Sequence, residues 1–224
     1  MDNMNLCTPR QILIINPNSN QEVTKRIQQA ADSILDTSCE ALVLHPPQSP
    51  HAIETLAHRK IAEPLALDLI SQHQGYDGYV MACFDDIAIK ASRRFLKVPV
   101  VDTVEASINL ARLYESRFTI VTTVEAMVPG IRSLINSLGA SHQCTVRAAG
   151  IGVAEAAAGE PSALQKLDDT IIKARNIDGA KVIILGSGGL AGQAERLTKL
   201  HGIPVIDCIE AAIRVADMAS KLKL

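Results

Sequence analysis

Short runs of β-branched and other apolar residues alternate along the chain with amphipathic helical patterns. Strands that alternate with helices in this way predict βαβ units, and such units form a parallel sheet. We therefore expect an α/β protein with helices on both faces of its sheets. The segments predicted as strands are QILIIN, ALVLH, GYVMAC, VPVVD, RFTIVTT, CTVRAAG, KVIILG and IPVID.

The second half of the chain repeats the pattern of the first. VPVVDTVEASINLARL at 98–113 and IPVIDCIEAAIRVADM at 203–218 share Pro, Val, Asp, Glu and Ala in register, at an offset of 105 residues. A constant offset of this kind predicts a duplicated unit. We expect two pseudo-symmetric, Rossmann-like lobes with parallel sheets. The active site is then predicted in the cleft between them, because open α/β sheets bind ligands at the carboxyl ends of their strands.

The repeat pairs Cys83 with Ser187, and each follows an apolar strand and precedes a helical pattern. Two acid/base groups on opposite walls of a cleft can remove a proton from one face of a carbon and return one to the other. A helix N-terminus would favour the Cys83 thiolate, whereas the carboxylates of Asp85 and Asp86 would oppose it. Ser187 is the weaker base, since an alkoxide forms far less readily than a thiolate. The competing interpretations are a buried core cysteine and a small polar residue in a tight turn.

The glycine-rich stretch after the seventh predicted strand admits a second interpretation. Gly186, Gly188 and Ala191 have the spacing of a dinucleotide-binding fingerprint. Asp207 ends the next strand, nineteen residues after Gly188, where such a fingerprint carries an acid. This pattern is typical of an NAD(P)-dependent enzyme. However, only one strand follows it, and the repeat pairs Asp207 with Asp102, which favours a structural role at the crossing between the lobes.

The segment INPNSN closes the first strand with turn-forming residues. Its Asn16 and Ser19 are candidates for hydrogen bonds to the amide or carbonyl groups of a ligand, although the segment can equally serve to cap the next helix. Thr122 and Thr123 occupy the repeat-related positions and carry the same two interpretations. The six His residues have no spacing typical of metal ligands, and the five Cys residues form neither a disulfide framework nor a zinc pattern.

Composition narrows the classes of function. The chain has 224 residues, of which 47% are hydrophobic, so it can bury a sizeable core. A net charge of -2 and 3% aromatic content argue against nucleic acid as a partner. No apolar run approaches the roughly 20 residues that span a bilayer. The N-terminal segment MDNMNLCTPRQ has no apolar signal core, so we expect a cytoplasmic protein.

Five segments along the chain occur in a characteristic order and spacing: LIINPNSNQEVTKRI, YVMACFDD, PVVDTVEASINLA, FTIVTTVEAMVPGIRSLINSLG and VIILGSGGLAG. In this they resemble the hydantoin and allantoin racemases of the aspartate/glutamate racemase superfamily, over essentially the whole chain. The resemblance implies two lobes that each provide one catalytic Cys, and cofactor-independent inversion at the acidic carbon of a cyclic ureide. It also implies a homo-oligomer whose C-terminal segment returns to the first lobe, with lobes of residues 1–101 plus 207–224 and 102–206.

The resemblance places the first catalytic Cys at Cys83 and the second catalytic position at Ser187. The positions that it assigns to holding the ring are Asn16, Phe84, Gly188 and Thr122 or Thr123. Family members that racemise have GC where this chain has GS. Three explanations of Ser187 are open. It is an experimental replacement of a cysteine, or the natural residue of an enzyme that needs one thiol, or a ligand-orienting group in a protein that does not catalyse.

We therefore predict a metal-free, cofactor-independent racemase that acts on the carbon next to a carbonyl group. Its predicted substrate is a small molecule, a 5-substituted hydantoin or allantoin. Three alternatives remain at this point: a one-thiol lyase, decarboxylase or isomerase of the same superfamily, an NAD(P)-dependent enzyme, and a non-catalytic ureide-binding protein.

Overall fold

All eight predicted strands are present in the computed structural model, which describes residues 8–222. They form two four-stranded parallel sheets with the orders β2-β1-β3-β4 and β6-β5-β7-β8. The shared strand order agrees with the duplication predicted from the repeat. Residues 1–7, on which the expectation of a missing signal core partly rests, lie outside the described residues. The strands are β1 (Arg10–Ile15), β2 (Cys39–Leu44), β3 (Gly78–Met81), β4 (Val100–Asp102), β5 (Phe118–Thr122), β6 (Cys144–Ala148), β7 (Val182–Leu185) and β8 (Val205–Asp207).

The helices cover both faces of the sheets. In α1, for example, Val23, Ile27, Ala30 and Ala31 are buried, and their spacing places them on one side of the helix. The Asn20 side chain caps this helix by accepting the N–H of Glu22 and Val23. The helices are α1 (Gln21–Ile34), α2 (Leu56–Gln72), α3 (Ile89–Phe95), α4 (Thr103–Tyr114), α5 (Val128–Ser137), α6 (Val153–Ala158), α7 (Pro161–Asn176), α8 (Ala194–His201) and α9 (Cys208–Ser220).

Two helices are exchanged between the lobes. Helix α4 follows β4 of the first sheet but packs against β7 and β8 of the second. Helix α9 follows β8 of the second sheet but packs against α1, β3 and β4 of the first. The two exchanged helices also contact each other. The C-terminal helix thus returns to the first lobe, while the lobe boundaries given above stay a prediction.

The largest hydrophobic core is continuous across both lobes. It contains Ile12 and Val80 of the first sheet, Ile120 and Ile184 of the second, and the buried faces of both exchanged helices, including Ile209. Each sheet has one smaller hydrophobic cluster on its other face. Within residues 8–222, none of the helices is long and apolar enough to cross a membrane.

Candidate active site

A cavity lies where strands β3, β5 and β7 of the two lobes end. Its volume is about 30 Å³, which is room for about two water molecules. Residues from both lobes line it, as predicted for a site in the cleft. The lining residues are Asn18, Ile53, Ala82, Cys83 and Phe84 from the first lobe and Thr122, Thr123, Met127, Ile131, Val153, Gly186, Ser187, Gly188 and Gly189 from the second.

Cys83 lies at the end of β3 but does not open a helix, contrary to expectation. Its N–H donates to the carbonyl of Met81 at 2.9 Å, and its own carbonyl accepts the N–H of Asp85 at 2.8 Å. These bonds form a tight turn, and α3 begins only at Ile89, after Ala88 in the left-handed region at φ 60°. The expectation that a helix N-terminus favours the Cys83 thiolate is therefore wrong.

The surroundings of Cys83 keep its thiol neutral. Burial raises the pKa of this thiol far above its ordinary value, the Asp85 carboxylate raises it further, and the Arg59 guanidinium lowers it. Arg59 itself pairs with Asp85 at 3.1 Å and with Asp86 at 2.5 Å. Burial also raises the pKa of Asp85, to about 6, against the effect of Arg59. At rest Cys83 is therefore a proton donor, and its thiolate becomes available as the pH rises.

Ser187 opens a one-turn 3-10 helix at Gly188–Leu190, while the next α-helix begins only at Ala194. Its Oγ accepts the N–H of Gly189 at 3.2 Å. Within residues 8–222, no side chain lies at hydrogen-bonding distance to take the Ser187 proton. The hydroxyl is therefore set to donate a hydrogen bond towards the cavity, and it has no base that would make it a proton acceptor.

Two backbone N–H groups complete the polar part of the cavity wall. Phe84 and Gly188 directly follow the two candidate reactive residues and line the cavity. Among the described residues, neither N–H donates to a protein acceptor. Buried N–H groups without an acceptor are rare in folded proteins. Phe84 is buried and Gly188 is partly exposed at the cavity, so both N–H groups can donate to a carbonyl oxygen of a ligand.

The structure brings four of the six residues predicted to bind the substrate to the cavity: Phe84, Thr122, Thr123 and Gly188. Asn16 does not line it. The Asn16 amide is fully buried, donates to Asn18 Oδ1 at 3.1 Å and to Thr24 Oγ1 at 3.0 Å, and so shapes the loop. Ser19 does not line it either, because its N–H binds the carbonyl of Pro50 at 3.0 Å and its side chain lies outside the cavity.

Sequence reasoning missed several lining residues. Asn18 is the member of the INPNSN segment that reaches the cavity, and its membership of that segment is the one signal that pointed to it. Ile53 and Val153 lie on opposite sides of a contact between the lobes, in which Glu54 Oε1 accepts the N–H of Val153 at 2.8 Å. Met127 adds to this apolar wall. None of the described lining residues is charged. Residues 8–222 also contain no group of three or more His, Cys, Asp or Glu side chains that could hold a metal ion.

The geometry does not favour the dinucleotide interpretation. Asp207 is 3% exposed, and its carboxylate caps α9 through the N–H of Ile209 at 2.8 Å. Its second oxygen accepts the N–H of Gly192 at 2.7 Å. These bonds occupy the acid that would bind a ribose. At Gly186 a Cβ would lie 2.7 Å from Ile120 Cγ2, so the absence of a side chain there serves packing between β5 and β7.

Comparisons with known proteins agree with this geometry. The family model described as Asp/Glu/Hydantoin racemase matches residues 12–216. The hydantoin racemase of Rhizobium meliloti is 34% identical over 209 residues, which cover 92% of this chain and 87% of that protein. The solved allantoin racemase from Klebsiella pneumoniae has a TM-score of 0.91 at 32% identity, covering 96% of this chain and 89% of that chain.

The solved allantoin racemase from Pseudomonas fluorescens is equally similar in structure. Its TM-score is 0.90 at 28% identity, and the match covers 96% of this chain and 92% of that chain. The family model and both kinds of relative thus extend over nearly the whole chain. With two lobes of the same strand order and a cavity between them, the chain belongs to the Asp/Glu/hydantoin racemase family.

Proposed function

We propose that this protein is a racemase-type enzyme that moves the proton on the carbon next to a carbonyl group of a cyclic ureide. The observation that carries the proposal is the convergence of Cys83 and Ser187, one from each lobe, on one cavity in a member of this family. The hydantoin and allantoin racemases among its relatives support a 5-substituted hydantoin or allantoin as substrate. The proposal includes no cofactor, a cytoplasmic location and a homo-oligomeric assembly.

The lining of the cavity supports an uncharged substrate. A carboxylate buried beside Ile53, Met127 and Val153 would lack a cation, and an unpaired buried charge is costly. Arg59, the cation near Cys83, is already engaged by Asp85 and Asp86. A neutral ureide ring instead offers amide and carbonyl groups that Asn18, the Thr123 hydroxyl and the free N–H groups can satisfy. The Thr122 hydroxyl donates to the Gly186 carbonyl at 3.2 Å and can accept an N–H of the ring.

Cys83 is the group that we assign to proton transfer. The resting thiol first loses its proton to solvent, which its raised pKa makes infrequent at neutral pH. The thiolate formed in this way takes the proton from the substrate carbon, and the electron pair moves onto the neighbouring carbonyl to give an enolate. The N–H groups of Phe84 and Gly188 donate to the enolate oxygen. The S–H group formed on Cys83 exchanges with solvent, and Cys83 then returns a solvent-derived proton to the same face. Because the Ser187 hydroxyl is a far weaker acid than a thiol, its protonation of the opposite face is slow, and solvent exchange with retention is faster than inversion.

The experiment is deuterium incorporation in heavy water, followed by proton NMR, with each separate enantiomer of a 5-substituted hydantoin and of allantoin. The unmodified chain is expected to exchange one enantiomer without inverting it. Cys83→Ala is expected to lower the exchange rate at least about 100-fold, whereas Ser187→Cys is expected to convert exchange into racemisation. Cys144→Ala removes another partly exposed thiol, outside the cavity, and is the matched control.

Two results would contradict the proposal. If Cys83→Ala keeps the exchange rate of the unmodified chain, the proton is moved by another group. If no variant exchanges either substrate above the spontaneous rate, the fold carries a different reaction, and a one-thiol lyase or decarboxylase chemistry becomes the one to test.

A further inference from the structure

Thr103 contacts the backbone of Cys83 from outside the cavity. It is the first residue of α4, is fully buried, and donates its hydroxyl to the Cys83 carbonyl at 2.5 Å. The same carbonyl accepts the N–H of Asp85 at 2.8 Å. Both lone pairs of this carbonyl are thus engaged, one by a bond within the turn and one by a side chain twenty residues away. The peptide between Cys83 and Phe84 is held in one orientation.

The orientation of this peptide decides where the Phe84 N–H points. In a planar trans peptide the C=O and N–H groups point in opposite directions. The carbonyl is turned towards Thr103, so the N–H of Phe84 is turned away from α4. Phe84 is 4% exposed and lines the cavity, and its N–H has no acceptor within residues 8–222. Leaving such a group unsatisfied in a folded protein is costly, and an N–H without an acceptor is expected where a ligand supplies one.

The second lobe holds its equivalent peptide differently. The repeat pairs Thr103 with Cys208, so the thiol and the hydroxyl have exchanged places between the lobes: Cys83 with Thr103 in one, Ser187 with Cys208 in the other. The carbonyl of Ser187 accepts the N–H of Leu190 at 3.0 Å, within its own turn. The Cys208 thiol also interacts with the backbone of Ser187. What distinguishes the lobe that carries Cys83 is a side-chain hydroxyl that donates to the carbonyl.

We propose that Thr103 is a positioning residue for proton transfer: its hydroxyl fixes the Cys83–Phe84 peptide so that the Phe84 N–H donates to the carbonyl oxygen of the substrate. The inference rests on the proposed function of Cys83 and deepens it. Thr103 itself exchanges no proton with the substrate. The bond from Phe84 strengthens as charge develops on the enolate oxygen, so Thr103 acts on the rate of the chemical step more than on binding.

The test compares Thr103→Val, which keeps the shape and removes the hydroxyl, with Thr103→Ser, which keeps the hydroxyl. Thr170→Val is the matched control, because Thr170 is buried in α7 and donates to the Lys166 carbonyl at 2.7 Å, outside the cavity. For deuterium exchange, Thr103→Val is expected to lower kcat about 10- to 100-fold with KM within about 3-fold. Thr103→Ser and Thr170→Val are expected to keep kcat within about 3-fold of the unmodified chain.

The inference is overturned if Thr103→Val keeps kcat within that range. It is also overturned if Thr103→Ser is as slow as Thr103→Val, since the effect would then come from packing. An equal loss in Thr170→Val would show that kcat follows global stability, which is likewise incompatible with a positioning function.

A second measurement does not need turnover. The amide resonance of Phe84 is followed in a proton–nitrogen NMR spectrum during titration with a 5-substituted hydantoin. A downfield proton shift in the unmodified chain and in Thr103→Ser, lost in Thr103→Val, supports the inference. The inference is overturned if the amide proton shift of Phe84 does not change during the titration. A shift that needs the Thr103 hydroxyl, without any exchange in the unmodified chain, would show that Thr103 orients the Phe84 N–H towards a ligand and would refute the racemase-type activity.

Discussion

Three aspartates are buried at or just after the carboxyl ends of strands: Asp85, Asp102 and Asp207. Burial raises the pKa of Asp102 to about 7 and those of the other two to about 6. Asp102 and Asp207 also cap the exchanged helices through backbone N–H groups, which lower the pKa and only partly offset burial. In the unfolded chain the same carboxyls have a pKa of about 3.9. Between about pH 4 and pH 6, the native state therefore holds protons that the unfolded state has already released.

Replacing Asp102 by Asn should flatten the dependence of stability on pH. Because its native pKa is raised, Asp102 makes its full contribution to the free energy of unfolding below about pH 4, and this contribution is lost as the pH rises through about 7. Between those pH values the unfolding free energy of the unmodified chain decreases with pH, and Asp102→Asn should make this decrease less steep by at most about 1.4 kcal/mol per pH unit. Asn keeps the oxygen that accepts the Val104 N–H. The variant should therefore be the more stable protein at pH 8.

Urea unfolding at pH 5, 6, 7 and 8 measures this difference. Asp32→Asn, at an exposed residue that accepts a hydrogen bond from Gln28, is the control and should leave the slope unchanged. Parallel stability curves for Asp102→Asn and the unmodified chain would show that Asp102 is ionised in the native state over this range.

At the same scale, the convergence of Cys83 and Ser187 could be predicted from the sequence, because the repeat relates them and the strand ends of the two lobes face one cleft. Asn18 could not be distinguished from Asn16 in this way. Which amide turns inward depends on the hydrogen bonds of the loop, and Asn16 is held by Thr24 on the next helix. No sequence pattern pointed to Ile53. It lines the cavity beside Glu54, which binds the opposite lobe.

Among the elements, the strands are predictable and the helix starts near the cavity are not. Buried parallel strands are short apolar runs, and every predicted run forms a strand. The turn after β3 depends instead on Arg59, which binds Asp86 from 27 positions earlier in the chain. A distant ion pair leaves no local pattern, so the expected helix at Cys83 begins only at Ile89.

The 3-10 turn that carries Ser187 packs against α6 so closely that it requires glycine. A Cβ at Gly189 would lie 2.6 Å from the carbonyl oxygen of Val153. Gly189→Ala should therefore lower the unfolding free energy by about 1–3 kcal/mol and slow exchange, because the turn must shift. Gly130→Ala is the matched control: Gly130 is in α5 with nothing within 4 Å, and this change should be neutral or stabilising by up to about 1 kcal/mol. Equal losses in urea unfolding would contradict this account of the packing.

For the whole molecule, the size of the cavity requires movement before a ligand can bind. A volume of about 30 Å³ holds water but no substituted ring. The Glu54–Val153 hydrogen bond joins the lobes beside the lining residue Ile53.

Glu54→Ala removes this bond, so iodoacetamide should alkylate Cys83 roughly 2- to 10-fold faster, as followed by mass spectrometry of its peptide. Glu195→Ala, which removes an exposed partner of Lys199, should leave the rate unchanged. An unaltered rate in Glu54→Ala would show that ligands enter elsewhere.

The exchanged helices limit how far this opening can extend. Because α4 and α9 belong to a core that continues through both sheets, parting the lobes as rigid bodies would expose apolar faces that include Ile108 and Ile213. Each such side chain returned to water costs about 1.5–3 kcal/mol, which a small ring cannot offset. We therefore expect a ligand to enter by local displacement of the segment around Glu54 and of α6, without separation of the lobes. On this account, one short part of the cavity wall moves while the two lobes keep their packing against each other.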